Sequence, residues 1–260
     1  MHDAVELTDA ISMWLRDQLD ASGAERFVLG LSGGLDSATV CALCCQAVGA
    51  QRVLAAIMPS HSNPTDADHA RLVATQYGVM MEEIDLSSAT DAFLAAMPDV
   101  DAARATGEVA ERLPLAIANI RPRLRMATLY YLASIHRGLV VGTGNKSESL
   151  VGYFTKYGDG GVDLFPIVDL FKDEVRAVAR VLEVPDVILM KAPSAGLWPG
   201  QTDEDELGLT YDQLEVALRG IEAHPEREPT DPLQARVWRM YHASAHKRWP
   251  IPAFRQHALA

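Results

Sequence analysis

The stretch "LGLSGGLDSATV" (29–40) places two adjacent glycines, two serines and an aspartate between an apolar run and the start of a helical pattern. A strand, a glycine turn and a helix N-terminus bring backbone N–H groups and the positive end of a helix dipole onto one point, which suits phosphate. Gly33 and Gly34 permit the backbone angles of such a turn and keep side chains clear, while Ser32 and Ser37 add hydroxyl donors. Asp36 would repel phosphate oxygens unless a hard divalent cation such as Mg2+ stands between them. Glu148, just past the apolar run of 138–144, is placed to meet Asp36 and complete an oxygen-rich site with phosphate oxygens. The plainer alternatives are that Asp36 is a first-turn acid and that Glu148 only caps a helix starting near Ser147.

The loop is not a Walker A sequence, because no lysine follows its glycines, and it is not the GxGxxG dinucleotide fingerprint. Lys156, Lys172, Arg123 and Lys247 are the cations assigned to phosphate, which needs local positive charge in so acidic a chain, with solvated surface cation as the plainer alternative for each. His242 and His246 share an i, i+4 spacing without an evident third ligand. "TDEDE" (202–206) could trap a metal, but acids there also suit a helix start, and Gly196, Pro199, Gly200 and Gly208 around it suggest a lid. Cys41, Cys44 and Cys45 lie within one helical pattern and read as small core residues.

The elements that must position these residues alternate. "RFVLGLS" (26–32), "RVLAAIMP" (52–59), "MEEIDL" and "GLVVGTG" (138–144) read as strands. Between them lie a helix closed by Gly49, another capped by Thr65 and closed by Gly78, and a long helical pattern ended by Gly138. This order predicts an α/β fold, a doubly wound, mostly parallel sheet with helices on both faces, and places the chemistry in the loops after 31 and 141. Leu7, Ile11, Trp14 and Leu15 predict an amphipathic N-terminal helix. "TYDQLEVALRG" carries a Thr210–Gln213 capping box, and "DPLQARVWRMYHASAHKR" reads as one further helix. The irregular stretch 87–118 yields no assignment.

With 260 residues, 48% of them hydrophobic, the chain can bury a full core as one domain, 1–260. A net charge of −12 argues against nucleic-acid binding, which draws on basic surface. No run approaches the roughly 20 apolar residues that span a bilayer, and the charged N-terminus does not read as a signal peptide, so a cytoplasmic protein without membrane association is expected.

The S-G-G-x-D-S string after a strand resembles the pyrophosphate (PP) loop of the ATP pyrophosphatase group, whose fold is adenine nucleotide alpha hydrolase-like. "GTGNKSESLVGYFTKYGDGGVDLFP" (142–166), "PSAGLWPGQTDEDELGLTYDQL" (193–214) and "HKR" near the end resemble the NAD synthetase family, so that the likeness runs from about residue 5 to 250. The resemblance implies an ATP-dependent ligase that adenylates the nicotinate carboxylate of deamido-NAD, releases pyrophosphate, and lets ammonia displace AMP. It implies ATP contacts from Gly30, Leu31, Ser32, Gly33, Gly34, Leu35, Asp36, Ser37, Thr143, Lys172 and Ser194. It likewise implies Mg2+ at Asp36 and Glu148, and deamido-NAD contacts from Arg123, Lys156, Asp163, His246 and Lys247. Lys172 would act on the phosphates, and Asp159 in "KYGDGG" would stand near the ammonia site. Where the family often has lysine and alanine before the arginine, this chain has Arg121 and Pro122, which bears on the aim of Arg123. A homodimer is implied, as is free ammonia for the nitrogen, since no glutaminase domain is expected and the cysteines offer no obvious nucleophile. A tRNA-thiolating relative would want reactive cysteines and a basic face. A nucleotide sensor that has lost its chemistry would bind ATP without carboxylate-dependent pyrophosphate release.

Overall fold

The apolar runs around 28, 55 and 140 become neighbouring strands of one parallel sheet. The computed structural model describes residues 3–97, 108–193 and 203–254. Helix α1 (Ala4–Ser22) leads into β1 (Arg26–Gly30), α2 (Leu35–Val48), β2 (Val53–Ile57), α3 (Pro64–Tyr77) and β3 (Met80–Glu83). Helices α4 (Ser87–Ala95), α5 (Glu108–Ala118) and α6 (Ile120–His136) precede β4 (Gly138–Val141). The remainder is helical: α7 (Lys146–Val151), α8 (Lys172–Val181), α9 (Asp186–Leu189), α10 (Asp203–Leu207), α11 (Tyr211–Ala223), α12 (Pro232–Ala243) and α13 (Ala245–Arg248).

The strand order is β3-β2-β1-β4 with every pair parallel. The chain steps from β1 outward through β2 to β3, then crosses to the other side of β1 for β4. The loops following β1 and β4 therefore leave side by side at the carboxyl edge, where such sheets bind ligands. A parallel bridge from Val141 to Leu164 extends the sheet past β4.

Phe27, Leu29, Val53, Ala55, Ile57 and Val141 face a core shared with α1, α2, α3 and α8. Val28, Leu54, Ala56 and Val140 face α6 on the opposite side. Because both faces are covered, these strands read as continuous apolar runs instead of alternating ones. The cysteines sit in α2 as expected, Cys41 and Cys44 fully buried and all three thiols free. A third cluster packs α11 and α12 against α7 and Phe171, and it backs the loop after β4. Among the described residues no helix is long and apolar enough to cross a membrane.

Several boundaries differ from the sequence expectation. Asn63, not Thr65, caps α3: its side chain accepts the Thr65 N–H at 3.1 Å, and Pro64 starts the helix with a preset φ. The strand expected at 81–86 begins at Met80 and ends at Glu83, since Ile84 and Leu86 donate their N–H groups to Ile57 and Pro59 as the chain turns into α4. Helix α6 ends on Arg137 in the left-handed region (φ 52°), and Gly138 already belongs to β4, where a Cβ would come within 2.7 Å of Val28 Cγ2. The single C-terminal helix is broken at Ser244, whose hydroxyl donates back to its own preceding turn. In α1 the innermost residues are Thr8, Ser12, Leu15 and Leu19, which leaves Trp14 at the exposed edge of the stripe. The unassigned 87–118 stretch contributes α4 and α5, the latter despite Pro114 within it.

Candidate functional site

The loop after β1 is braced from within. Ser32 N–H donates to Ser37 Oγ at 3.2 Å, the two hydroxyls share a hydrogen bond of 3.0 Å, and the Ser37 hydroxyl reaches the Gly34 carbonyl at 3.1 Å. Gly33 takes φ +75°, and a Cβ there would collide with the backbone oxygen of Asp66 in α3. Gly34 precedes α2 without a side-chain cap, so no side chain of its own competes for the helix's first N–H groups. From Gly30 to Ser37 this segment, apart from Gly33, lines a cavity of about 740 Å³ along the carboxyl edge of the sheet, with Thr143 on the wall contributed by β4.

The segments after β1 and β4 meet around the Lys172 ammonium. Lys172 Nζ lies 2.6 Å from Asp36 Oδ2 and 3.4 Å from Glu148 Oε1, with its side chain only 4% exposed. Its backbone N–H donates to Glu215 Oε1 of α11 at 2.6 Å, which fixes the start of α8. Asn145 caps α7 by accepting the Glu148 N–H at 3.0 Å, and its amide donates to Asp36 Oδ2 at 3.3 Å. The Tyr211 hydroxyl lies 3.1 Å from both Glu148 Oε1 and Asp203 Oδ2, and its ring lies 5.0 Å from the ammonium. One phenolic proton cannot serve two carboxylates at once.

Negative charge exceeds positive here. Burial, then the nearby Asp36 and Asp203, outweigh the opposing pull of Lys172 and push the Glu148 carboxyl up to about 7. Burial alone would favour neutral Lys172, but Asp36 and then Glu148 overrule it and hold its ammonium above the ordinary lysine range. Glu148 rises foremost because it is buried, and Lys172 rises because several acids share its charge. Asp36 Oδ1 is buried and accepts no hydrogen bond from the described residues. An orphaned, desolvated carboxylate oxygen beside a second carboxylate is a donor set that fits a hard divalent cation. Among the described residues no group of three or more His, Cys, Asp or Glu could hold a metal ion. Of the acids of 203–206, Asp203 is buried and Glu204 accepts the Tyr211 N–H, while Asp205 and Glu206 stay exposed; the Tyr153 hydroxyl lies 2.6 Å from Glu206 and 3.2 Å from Asp203.

Asp159 sits on the wall between the large cavity and a second one of about 230 Å³, which Phe154, Phe165 and Val168 also line. Its Oδ1 accepts the Thr155 N–H at 2.8 Å. Crowding by protein raises its carboxyl above the ordinary range, against the lowering pull of that N–H, Lys247 and Arg125. Lys247 faces both cavities and donates to the carbonyls of Gly152 and Phe154 at 2.6 and 2.7 Å.

The remaining sequence candidates lie elsewhere. Arg123, Lys156 and His246 gather beside the large cavity without lining it: Arg123 donates to the Lys156 carbonyl at 3.4 Å, and Lys156 to the His246 carbonyl at 2.9 Å. Pro122 is buried in the first turn of α6 and Arg123 is exposed. Asp163 is bound to the sheet, accepting the Val140 N–H at 2.8 Å and the Tyr130 hydroxyl at 2.9 Å. His242 and His246 fall on different helices, and His242 meets the Pro225 carbonyl, which removes the paired-histidine face. Ser194 and most of the expected lid lie outside the described residues; its last part, 203–208, forms α10 and the Gly208 turn. Sequence reasoning missed Asn145, Tyr211, Arg125 and Lys191. Of these only Asn145, an N-cap residue type at the start of α7, carried a local signal.

Comparison with known proteins places this geometry in context. A family model described as NAD synthase matches residues 7–251. An NH(3)-dependent NAD(+) synthetase of Methanococcoides burtonii is 44% identical over 227 residues, which cover 87% of this chain and 83% of that protein. The structure of NMN synthetase from Francisella tularensis superposes with a TM-score of 0.84 at 34% identity, covering 97% of this chain and 99% of that one. An NH3-dependent NAD synthetase from Campylobacter jejuni subsp. jejuni NCTC 11168 gives a TM-score of 0.79 at 27% identity, covering 98% of this chain and 100% of that one.

Proposed function

The chain belongs to the NAD synthase family, and from that premise we propose that its site makes NAD from deamido-NAD, ATP and ammonia. The observation that carries the reading is the convergence of Asp36 and Glu148 on the Lys172 ammonium, at the mouth of a glycine loop that opens a helix. In the first step a nicotinate carboxylate oxygen attacks the α-phosphorus of ATP and the bond to the β-phosphate bridge breaks, giving an acyl adenylate and pyrophosphate. Alignment and neutralised charge dominate such transfers. The loop N–H groups, the Ser32 and Ser37 hydroxyls and Lys172 hold the phosphates while the departing pyrophosphate gathers charge.

Asp36 and Glu148 would hold Mg2+, which supplies charge neutralisation at the phosphates when bound. The orphaned Asp36 Oδ1 supports this assignment. In the second step an ammonium ion loses a proton, its nitrogen attacks the acyl carbon, and AMP leaves as the amide sheds a further proton. Asp159, on the wall between the two cavities, attracts the cation and takes its proton. Arg123, Lys156 and His246 bind the dinucleotide where it leaves the cavity, across a homodimer interface. Exposed Tyr131 and Ile135, which continue the outer face of α6 from Arg123, and Leu115 on α5 support that interface.

The deciding experiment supplies ATP, Mg2+, deamido-NAD and ammonium and measures NAD with equimolar AMP and pyrophosphate; a parallel arm replaces ammonium with glutamine. ATP binding without pyrophosphate release would mark a sensor and refute the enzyme reading. The likeness to the Francisella NMN synthetase favours one second reading, amidation of nicotinate mononucleotide, and a third arm with that substrate separates the two.

A further inference from the structure

Lys191, two residues beyond the end of α9, belongs to no motif, yet its ammonium reaches back across the molecule to the phosphate loop. Nζ donates to the Gly33 carbonyl at 2.9 Å and to Asp66 Oδ1 at 2.7 Å, with side chains 22% and 26% exposed. Asp66 also packs closely on Gly33, since its backbone oxygen lies where a Cβ of that residue would be. Gly33 is thus clasped between the first turn of α3 and the chain leaving α9. A trans peptide is planar, with its C=O and N–H pointing in opposite directions. Fixing the Gly33 carbonyl toward Lys191 therefore turns the Gly34 N–H the other way, toward Ser32 Oγ at 3.3 Å and the hydroxyl pair it forms with Ser37. Were this peptide free to flip, a carbonyl oxygen would face phosphate where a donor should. Asp66 neutralises the ammonium locally, so the device acts mainly through geometry and little through added field.

We propose that Lys191 is a positioning residue, which locks the Gly33–Gly34 peptide with its N–H turned toward the site of the departing pyrophosphate. The proposal rests on the reading that this loop takes the phosphates of ATP. The test uses the full chain and inorganic pyrophosphate as a competitive inhibitor against ATP, in wild type, K191M, K191R, D66N and K191M/D66N. AMP inhibition and the KM for deamido-NAD are measured alongside. K191M should weaken pyrophosphate inhibition about tenfold, the scale of one backbone N–H hydrogen bond to a charged group, and leave AMP inhibition and the deamido-NAD KM unchanged. K191R, which can still reach both acceptors, should restore most of the loss. D66N should weaken pyrophosphate in the same direction, and the double variant should be no worse than K191M because the two act as one clasp. Tighter pyrophosphate binding in D66N would mean that a released ammonium contacts phosphate directly, and would overturn the proposal. Equal losses for pyrophosphate and AMP in K191M, or no loss, would overturn it too. If pyrophosphate fails to compete with ATP in the wild-type protein, the functional reading falls together with the clasp.

Discussion

Glu148→Gln is expected to stabilise the protein while disabling it. The Glu148 carboxyl is pushed from the ordinary 4.5 to about 7, foremost by burial. At about 1.4 kcal/mol per tenfold change, ionising it in the fold costs about 3 kcal/mol more than in the unfolded chain, a figure already net of attraction to Lys172. A carboxyl raised in the fold carries no penalty below about pH 4.5, accumulates it as pH climbs to 7, and bears all of it above. Glutamine mimics the protonated acid and never ionises. Thermal melts of the chelator-treated protein should therefore coincide for the two near pH 4.5 and separate above it. By pH 8.5 the variant should melt about 5 °C higher, taking a typical unfolding entropy per residue for 260 residues. Pyrophosphate release should meanwhile fall roughly 100-fold or more, since a proposed metal ligand is lost. Magnesium with ATP should raise the wild-type melting temperature far more than that of the variant. An equal loss of stability at pH 5.5 and 8.5 would refute the reasoning, for it would make ionised Glu148 a stabilising partner of Lys172.

Lys172→Met removes the cation that contacts both Asp36 and Glu148; urea melts should show a loss of about 3–5 kcal/mol at pH 8, shrinking as pH falls to 7 and below, where Glu148 is protonated with or without the lysine. Tyr211→Phe deprives Glu148 and Asp203 of their shared hydroxyl, and the same melts should show about 1–3 kcal/mol lost. Asp159→Asn should leave the first-turnover burst of pyrophosphate near the wild-type rate and cut steady-state NAD formation about 100-fold or more, measured by rapid-quench quantification of both products. Full NAD turnover in that variant would remove the proton-acceptor role.

How far the site could be read from the sequence follows from how its contacts are made. The Asp36 loop and the start of α7 each combine a strand end, small residues and a helix start within a dozen positions, so local chemistry announces them. That they meet follows from one topological rule, because a reversal of strand order between β1 and β4 puts their following loops together. Nothing local says what joins them. Lys172 lies 136 residues from Asp36, aimed by a backbone bond to Glu215 on α11, and only family resemblance singled it out. Tyr211 appears locally as the first residue of a capped helix; Lys191 appears as a lysine before a proline-containing stretch, 158 residues from the carbonyl it holds. Their roles lie in directions fixed by packing, and no periodicity encodes a direction across the molecule. Asp163, expected from its family position to touch the dinucleotide, also has a role that only packing reveals. In this chain its carboxylate meets the Val140 N–H, so it fixes the edge of β4 and with it the entry to the loop that carries Thr143 and Glu148. Substituting it would move that loop whether or not it also touches substrate.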